Sequence, residues 1–157
     1  MCLTKYKKIT PEKDITCYKV VRKITENIYA SPFVEARYYI GEKHKAYPIH
    51  SKSELAALLK RPDGLEDGFI HTFQNKSEAR DYMRNFAAYI TVPFTNPVCK
   101  PQTFAVLECK IPATAKYVVK GKYESIFSIT TLSCYGSSEI KVCREIDTYF
   151  YDVFADS

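Results

Sequence analysis

Residues 15–24 alternate in a way that builds a strand with two mixed faces. Ile15, Cys17, Lys19, Val21 and Lys23 fall on one side, and Thr16, Tyr18, Val20, Arg22 and Ile24 on the other. Neither side is cleanly apolar, so the charged residues either reach an edge or line a cleft. Ser31-Pro32-Phe33 breaks the alternation, and residues 36–40 followed by Gly41-Glu42 read as a short strand and turn. Ser51-Lys52-Ser53-Glu54 is a capping box that opens a short helix through Leu55, Leu58 and Leu59, and Pro62-Asp63-Gly64 stops it. Residues 67–73 form a short strand in which Phe69, His71 and Phe73 share one face and Ile70 and Thr72 the other. Asn75 caps a second helix running to about Tyr89, with Ala79, Tyr82, Met83, Phe86 and Ile90 on one stripe.

Pro93, Pro97 and Pro101 punctuate an irregular connection. Strand patterns follow at 104–111, 115–119, 140–146 and 149–154. A strand, two helices flanking a strand, and a closing run of strands predict an α+β fold. The expectation is a single domain over residues 1–157, with a mostly antiparallel (mixed) sheet and two main helices. No repeat or linker divides the 157 residues, which suffice for a real core.

Composition adds little constraint. Apolar residues make up 46% and charged residues 26%, ordinary for a soluble globular chain. The 13 tyrosines and 9 phenylalanines are more telling, because tyrosine pairs a large apolar face with a polar tip. Such residues either fill half-buried sheet positions or stack on bases and sugars. The net charge of +5 is milder than a dedicated nucleic-acid binder shows, so duplex binding is not expected. An anionic small ligand suits it better. The cations concentrate early, at Lys5, Lys7, Lys8, Lys13, Lys19, Arg22 and Lys23, while the end from Glu145 is acidic.

Six cysteines stand at 2, 17, 99, 109, 134 and 143, without a CxxC pair, and the three histidines are scattered. No zinc site is expected. Met1-Cys2-Leu3-Thr4-Lys5 leads into polar sequence, so no signal peptide is expected, and no run has the length of a membrane span. A cytoplasmic chain with reduced thiols follows as the expectation. Glycines are spread singly, so there is no phosphate loop. His71 is the histidine best placed for function, whereas His44 and His50 lie in stretches rich in Lys and Pro and are expected to be exposed. Ser133-Cys134-Tyr135-Gly136-Ser137-Ser138-Glu139 reads as a polar turn before a strand. Its hydroxyls and amides can meet a phosphate or ribose, and Gly136 suits a left-handed turn or close approach.

Several segments carry a resemblance. Tyr18-Lys19-Val20, Gly41-Glu42, the run Gly68-Phe69-Ile70-His71-Thr72-Phe73 with Ala79, the stretch Val106 to Pro112 and the stretch Cys134 to Val142 look like uncharacterised small proteins of bacterial phages and gut Bacteroidetes. More remotely, the chain resembles the ADP-ribosyltransferase fold of the rifampin-modifying type, through Ser133-Cys134-Tyr135-Gly136-Ser137 ahead of a valine-bearing strand. That second resemblance implies that Lys19 or Arg22 stands where such folds hold NAD, that His71-Thr72 is the middle polar element, and that Glu139 is the acidic catalyst. The chain lacks the His-Gly-Thr and Ser-Thr-Ser grips of that family.

The leading expectation is a phage- or mobile-element-type protein of the host-cell cytosol. It would bind a nucleotide-like anion without turnover and sequester a nucleotide signal of host defence. Its cleft would be built from Lys19, Arg22, Arg37, Tyr39, His71, Thr72, Tyr135 and Ser137, with no certain cofactor and no membrane partner. The alternatives are a mono-ADP-ribosyltransferase using NAD and Glu139, and a virion-associated or protein-interaction domain without a small ligand.

Overall fold

Among the described residues, ten strands and two helices follow one another as β1 (Thr4–Ile9), β2 (Ile15–Thr25), β3 (Ile28–Ala30), β4 (Arg37–Tyr39), β5 (Lys43–Lys45), α1 (Lys52–Leu59), β6 (Ile70–Phe73), α2 (Lys76–Ile90), β7 (Gln102–Ile111), β8 (Val118–Glu124), β9 (Thr131–Ser137) and β10 (Glu139–Tyr151). The computed structural model describes residues 3–32, 36–46, 52–59, 68–90, 102–124 and 131–151. The Ser51 cap, Pro62–Gly64, His50 and the proline-punctuated connection lie outside them.

The strands form one sheet in the order β1-β8-β9-β6-β2-β7-β10-β5, and β3 pairs with both β2 and β4. Every described pairing is antiparallel. The α+β expectation is therefore corrected: the fold is β-rich, with two helices set against ten strands among the described residues. Three causes hid the additional strands. In β1 the sequence Thr-Lys-Tyr-Lys-Lys-Ile carries too few apolar residues to show a buried face. Strands β3 and β5 are three residues each, too short for a period to register. The Ser133–Ser137 stretch has turn composition yet is strand β9, because Leu132 and Cys134 bury on one side and Tyr135 packs on the other. The strand expected at 140–146 and the described part, 149–151, of the one expected at 149–154 belong to one strand, β10, bent by bulges after Val142 and Glu145.

The sheet cannot be flat. Strands β9 and β10 are four places apart in the sheet order, about 19 Å at ~4.8 Å per strand. Yet only Ser138 separates them, and one residue spans at most ~7 Å between its neighbours. The sheet must curl until these strands meet, and Ser138 secures the closure. Its amide donates to the Tyr117 carbonyl at 3.1 Å, and its carbonyl accepts from the Ala46 amide at 2.9 Å.

Curling divides the core in two. One face carries Val20, Phe73, Phe104, Val106, Val119, Leu132 and Cys134, and helix α2 covers it with Ala79, Tyr82, Met83, Phe86 and Ala87. Ala79, Tyr82, Met83 and Phe86 are on the stripe the spacing predicts, Ala87 joins them, and the side chain of Ile90 lies outside the described residues. Arg80 pairs with Asp147 at 3.1 Å, and the Arg84 guanidinium lies 5.8 Å from the Tyr149 ring centre, so the helix is also held to β10. Glu78 accepts from the Asn75 side chain at 2.9 Å and from the Ser133 amide at 3.3 Å, which fastens the helix start to β9. The other face gathers Cys17, Val21, Tyr29, Tyr38, Ile70, Leu107, Cys109, Val118, Ile140 and Val142. Strands β2, β3 and β4 on one side and β7, β10 and β5 on the other enclose this inner cluster.

Candidate functional site

The mixed faces of β2 resolve once its neighbours are in place. Its even residues Tyr18 and Val20 face α2, while Cys17 and Val21 enter the inner cluster. Lys19 lies on that inner face, half-buried. Strands β2 and β6 meet at a single register position, Tyr18 opposite Phe73. Above it they part, and the Lys19 ammonium fills the gap by donating to the His71 carbonyl at 2.9 Å.

Tyr38 closes over the ammonium from the hairpin side. The chain turns at Asn27, whose φ of 64° is left-handed and tolerable for asparagine, so β3 folds back on β2 and β4 on β3. Tyr38 then points inward, with its ring centre 5.3 Å from Lys19 Nζ, within cation–π range. Gly41, at φ 83°, makes the next turn and returns the chain as β5 beside β10. That places the His44 ring 5.0 Å from Tyr38 and nearly parallel to Tyr39 at 6.2 Å. The Tyr39 amide donates to His44 Nε2 at 3.2 Å, which requires a lone pair there and puts the ring proton on Nδ1. Burial also holds His44 below its ordinary value of 6.5. The expectation of an exposed His44 is thus corrected: it is half-buried and wedged between two tyrosines.

Beneath Lys19 lie two buried thiols, Cys17 and Cys109, directly opposite one another on β2 and β7. Burial pushes Cys17 up to about 12, and the nearby Thr72 hydroxyl and Lys19 charge pull the other way without offsetting it. Cys109 is raised well above its ordinary value, again by burial. Both stay protonated and unreactive at neutral pH. The nearest carboxylate in the Lys19–Leu107–Glu145 row is Glu145, which is engaged by Lys23 at 3.1 Å and Thr148 at 3.0 Å. Lys19 has no carboxylate partner among the described residues.

The other residues expected at the site distribute as follows. Thr72 is fully buried on the inner face, and Tyr135 is half-buried opposite it on β9. Ser137 is buried one step along, its hydroxyl committed to the Glu139 carbonyl at 3.1 Å. His71 contributes only its carbonyl to Lys19, because its side chain sits on the helix-facing side between Phe69 and Phe73. Arg22 and Arg37 are exposed on the opposite face, in one row across Ala30. Tyr39 stacks on His44 as described. Gly136 is an ordinary mid-strand residue facing His71, not a left-handed turn.

Glu139 pairs with Lys45 at the start of β10. Lys141 already stands opposite Lys110, three positions from Leu107, and Glu139 lies two residues further. That offset of about five residues is roughly 17 Å along the strand from the Lys19 row. Tyr38 and His44 were missed by sequence reasoning. The only local trace of Tyr38 is its alternation with Arg37 and Tyr39 in a three-residue strand.

Among the described residues no group of three or more His, Cys, Asp or Glu side chains is placed to hold a metal. No described helix is long and apolar enough to cross a membrane. Compared with known proteins, the chain matches no family model, no curated protein and no solved structure.

Proposed function

We propose that the protein binds a nucleotide-like anionic small molecule at Lys19, without turning it over. The observation that carries this reading is the half-buried Lys19 ammonium under the Tyr38 ring, which lacks a carboxylate partner among the described residues. Withdrawing a cation from water without a countercharge is costly, and an incoming phosphate supplies that countercharge. The half-buried Tyr135 offers a ring face for a base or ribose, and the Thr72 hydroxyl lies on the same inner face. Binding without chemistry is the form proposed because the thiols beside Lys19 are held protonated by burial. The setting implied by the phage resemblance belongs to the same proposal: a cytosolic protein that withholds a nucleotide signal from the host.

No observation favours the transferase alternative, whose Glu139 and Lys19 are offset by roughly 17 Å along the sheet. The test is a thermal-shift and calorimetric panel of mono- and dinucleotides, cyclic dinucleotides, ADP-ribose and NAD. A ligand at one hundred times its Kd stabilises by about 2.7 kcal/mol. The reading expects at least one such shift, lost in Lys19→Met. A flat panel overturns it in favour of an interaction domain, and release of nicotinamide from NAD would reinstate the transferase.

A further inference from the structure

The inner-face row that carries Thr72 does not end at the Lys19 site. Thr72 on β6 stands opposite Tyr135 on β9, Tyr135 opposite Lys120 on β8, and Lys120 opposite Lys7 on β1. Strand alternation puts all four on one side, the side of Ile9, Val118 and Tyr135. Lys122, two residues along β8, shares that side and donates to the Ser133 hydroxyl at 2.8 Å. The row is continuous with the site, because Tyr18 opposite Phe73 sets Lys19 beside Thr72.

Lys7 and Lys120 are both exposed, and neither has a carboxylate partner among the described residues. Two like charges directly opposite on antiparallel strands have Cβ atoms only about 5 Å apart and repel each other. Glu124, at the far end of β8, is the acidic side chain on the β1–β8–β9 part of this face. Among the described residues the lysine pair is thus an uncompensated positive locus, and the Lys19 ammonium is a second. Three strand spacings separate Lys120 from Lys19, on the order of 14 Å. One phosphate group cannot satisfy both. Tyr135 lies between them, half-buried, with its ring on the same face.

We infer that the ligand is a short single-stranded oligonucleotide lying over β1, β8 and β9 and reaching past the buried Thr72 to Lys19, an extension that rests on the Lys19 reading. One phosphate is held at Lys19 and a later one between Lys7 and Lys120, and an unpaired base stacks on Tyr135. The intervening aromatic selects a single strand over a duplex, whose bases are not free to stack outside their pairs. It also selects nucleic acid over an acidic peptide, for which lysines alone would serve.

The test is fluorescence anisotropy of the full chain with labelled eight-nucleotide single strands, a labelled mononucleotide, a duplex and an acidic peptide, at 50 and 200 mM NaCl. The double variant Lys7→Gln/Lys120→Gln is compared with Lys110→Gln, an exposed lysine on the helix-facing side. Wild type is expected to bind the single strand at least tenfold more tightly than the mononucleotide. The double variant should fall to the mononucleotide level, with its log–log salt slope reduced by about 0.7 for the one phosphate it no longer holds. Tyr135→Leu should weaken the single strand and Tyr135→Phe should not, which guards against a mere folding loss. Equal affinity for single strand and mononucleotide overturns the extension and leaves the Lys19 reading standing. A flat mononucleotide arm overturns the Lys19 reading itself. Duplex or acidic peptide bound as tightly as the single strand, or Lys110→Gln as damaging as the double variant, also overturns the extension.

Discussion

Replacing Lys19 by Met separates a residue kept for a ligand from one kept for the fold. The methionine retains the unbranched stem beside Cys17 and Leu107 and removes only the ammonium. Three effects follow. The hydrogen bond to the His71 carbonyl is lost, which for a charged donor is worth about 1.5–3 kcal/mol. The contact with Tyr38 is lost, about 0.5–1 kcal/mol. Against these, the folded chain no longer withdraws an unpaired cation from water, a penalty of several kcal/mol for a fully buried ion and less for this half-buried one. The opposing effects are of similar size, so stability should change by no more than about 1 kcal/mol, a Tm shift of about 2–4 °C. Urea denaturation at pH 7.5 measures it directly. Nucleotide affinity, read by calorimetry on the same preparation, should fall at least tenfold. A loss of 3 kcal/mol or more with ligand affinity unchanged would refute the reasoning, because the ammonium would then be a structural brace.

Three further outcomes are expected. Gly41→Ala should cost about 1–2 kcal/mol through its left-handed φ of 83° alone, since a Cβ there meets nothing within 4 Å; chemical denaturation checks this, and a neutral result would mean the turn relaxes. His44 has a folded pKa below its unfolded value of 6.5, so its contribution to stability is complete above pH 6.5 and declines as pH falls from 6.5 through the folded value. Denaturation midpoints measured between pH 8 and 5 should show that decline, and His44→Phe should flatten the part due to this residue. Met83→Ala removes a fully buried side chain under α2 and should cost about 2–5 kcal/mol, with ligand affinity per folded molecule unchanged.

Local patterns carried the helix and its stripe. Ala79, Tyr82, Met83 and Phe86 recur at helical spacing, and any helix with that stripe must bury it against something. The alternation in β2 likewise assigned Cys17, Lys19 and Val21 to one face before any neighbour was known. Lys19, Thr72 and Tyr135, nominated from three distant stretches, do share the inner face, whereas Arg22, Arg37 and the His71 ring point elsewhere. Their divergence follows from parity. On a strand the direction of a side chain depends on which residue pairs with which, and a short polar strand carries no apolar marker of its register. For the same reason β1, β3 and β5 escaped notice and β9 passed for a turn.

By itself, then, the sequence determined the elements whose apolar period is long enough to demand a partner, and the mixed character of β2. The tertiary structure alone decided the rest. The single-residue link between β9 and β10 forces the sheet to curl, the β3–β4–β5 excursion brings Tyr38 over Lys19 and His44 against Tyr38, and the β1–β8 register sets Lys7 opposite Lys120. No local period encodes those meetings, because they depend on strand order and closure, which are properties of the whole sheet.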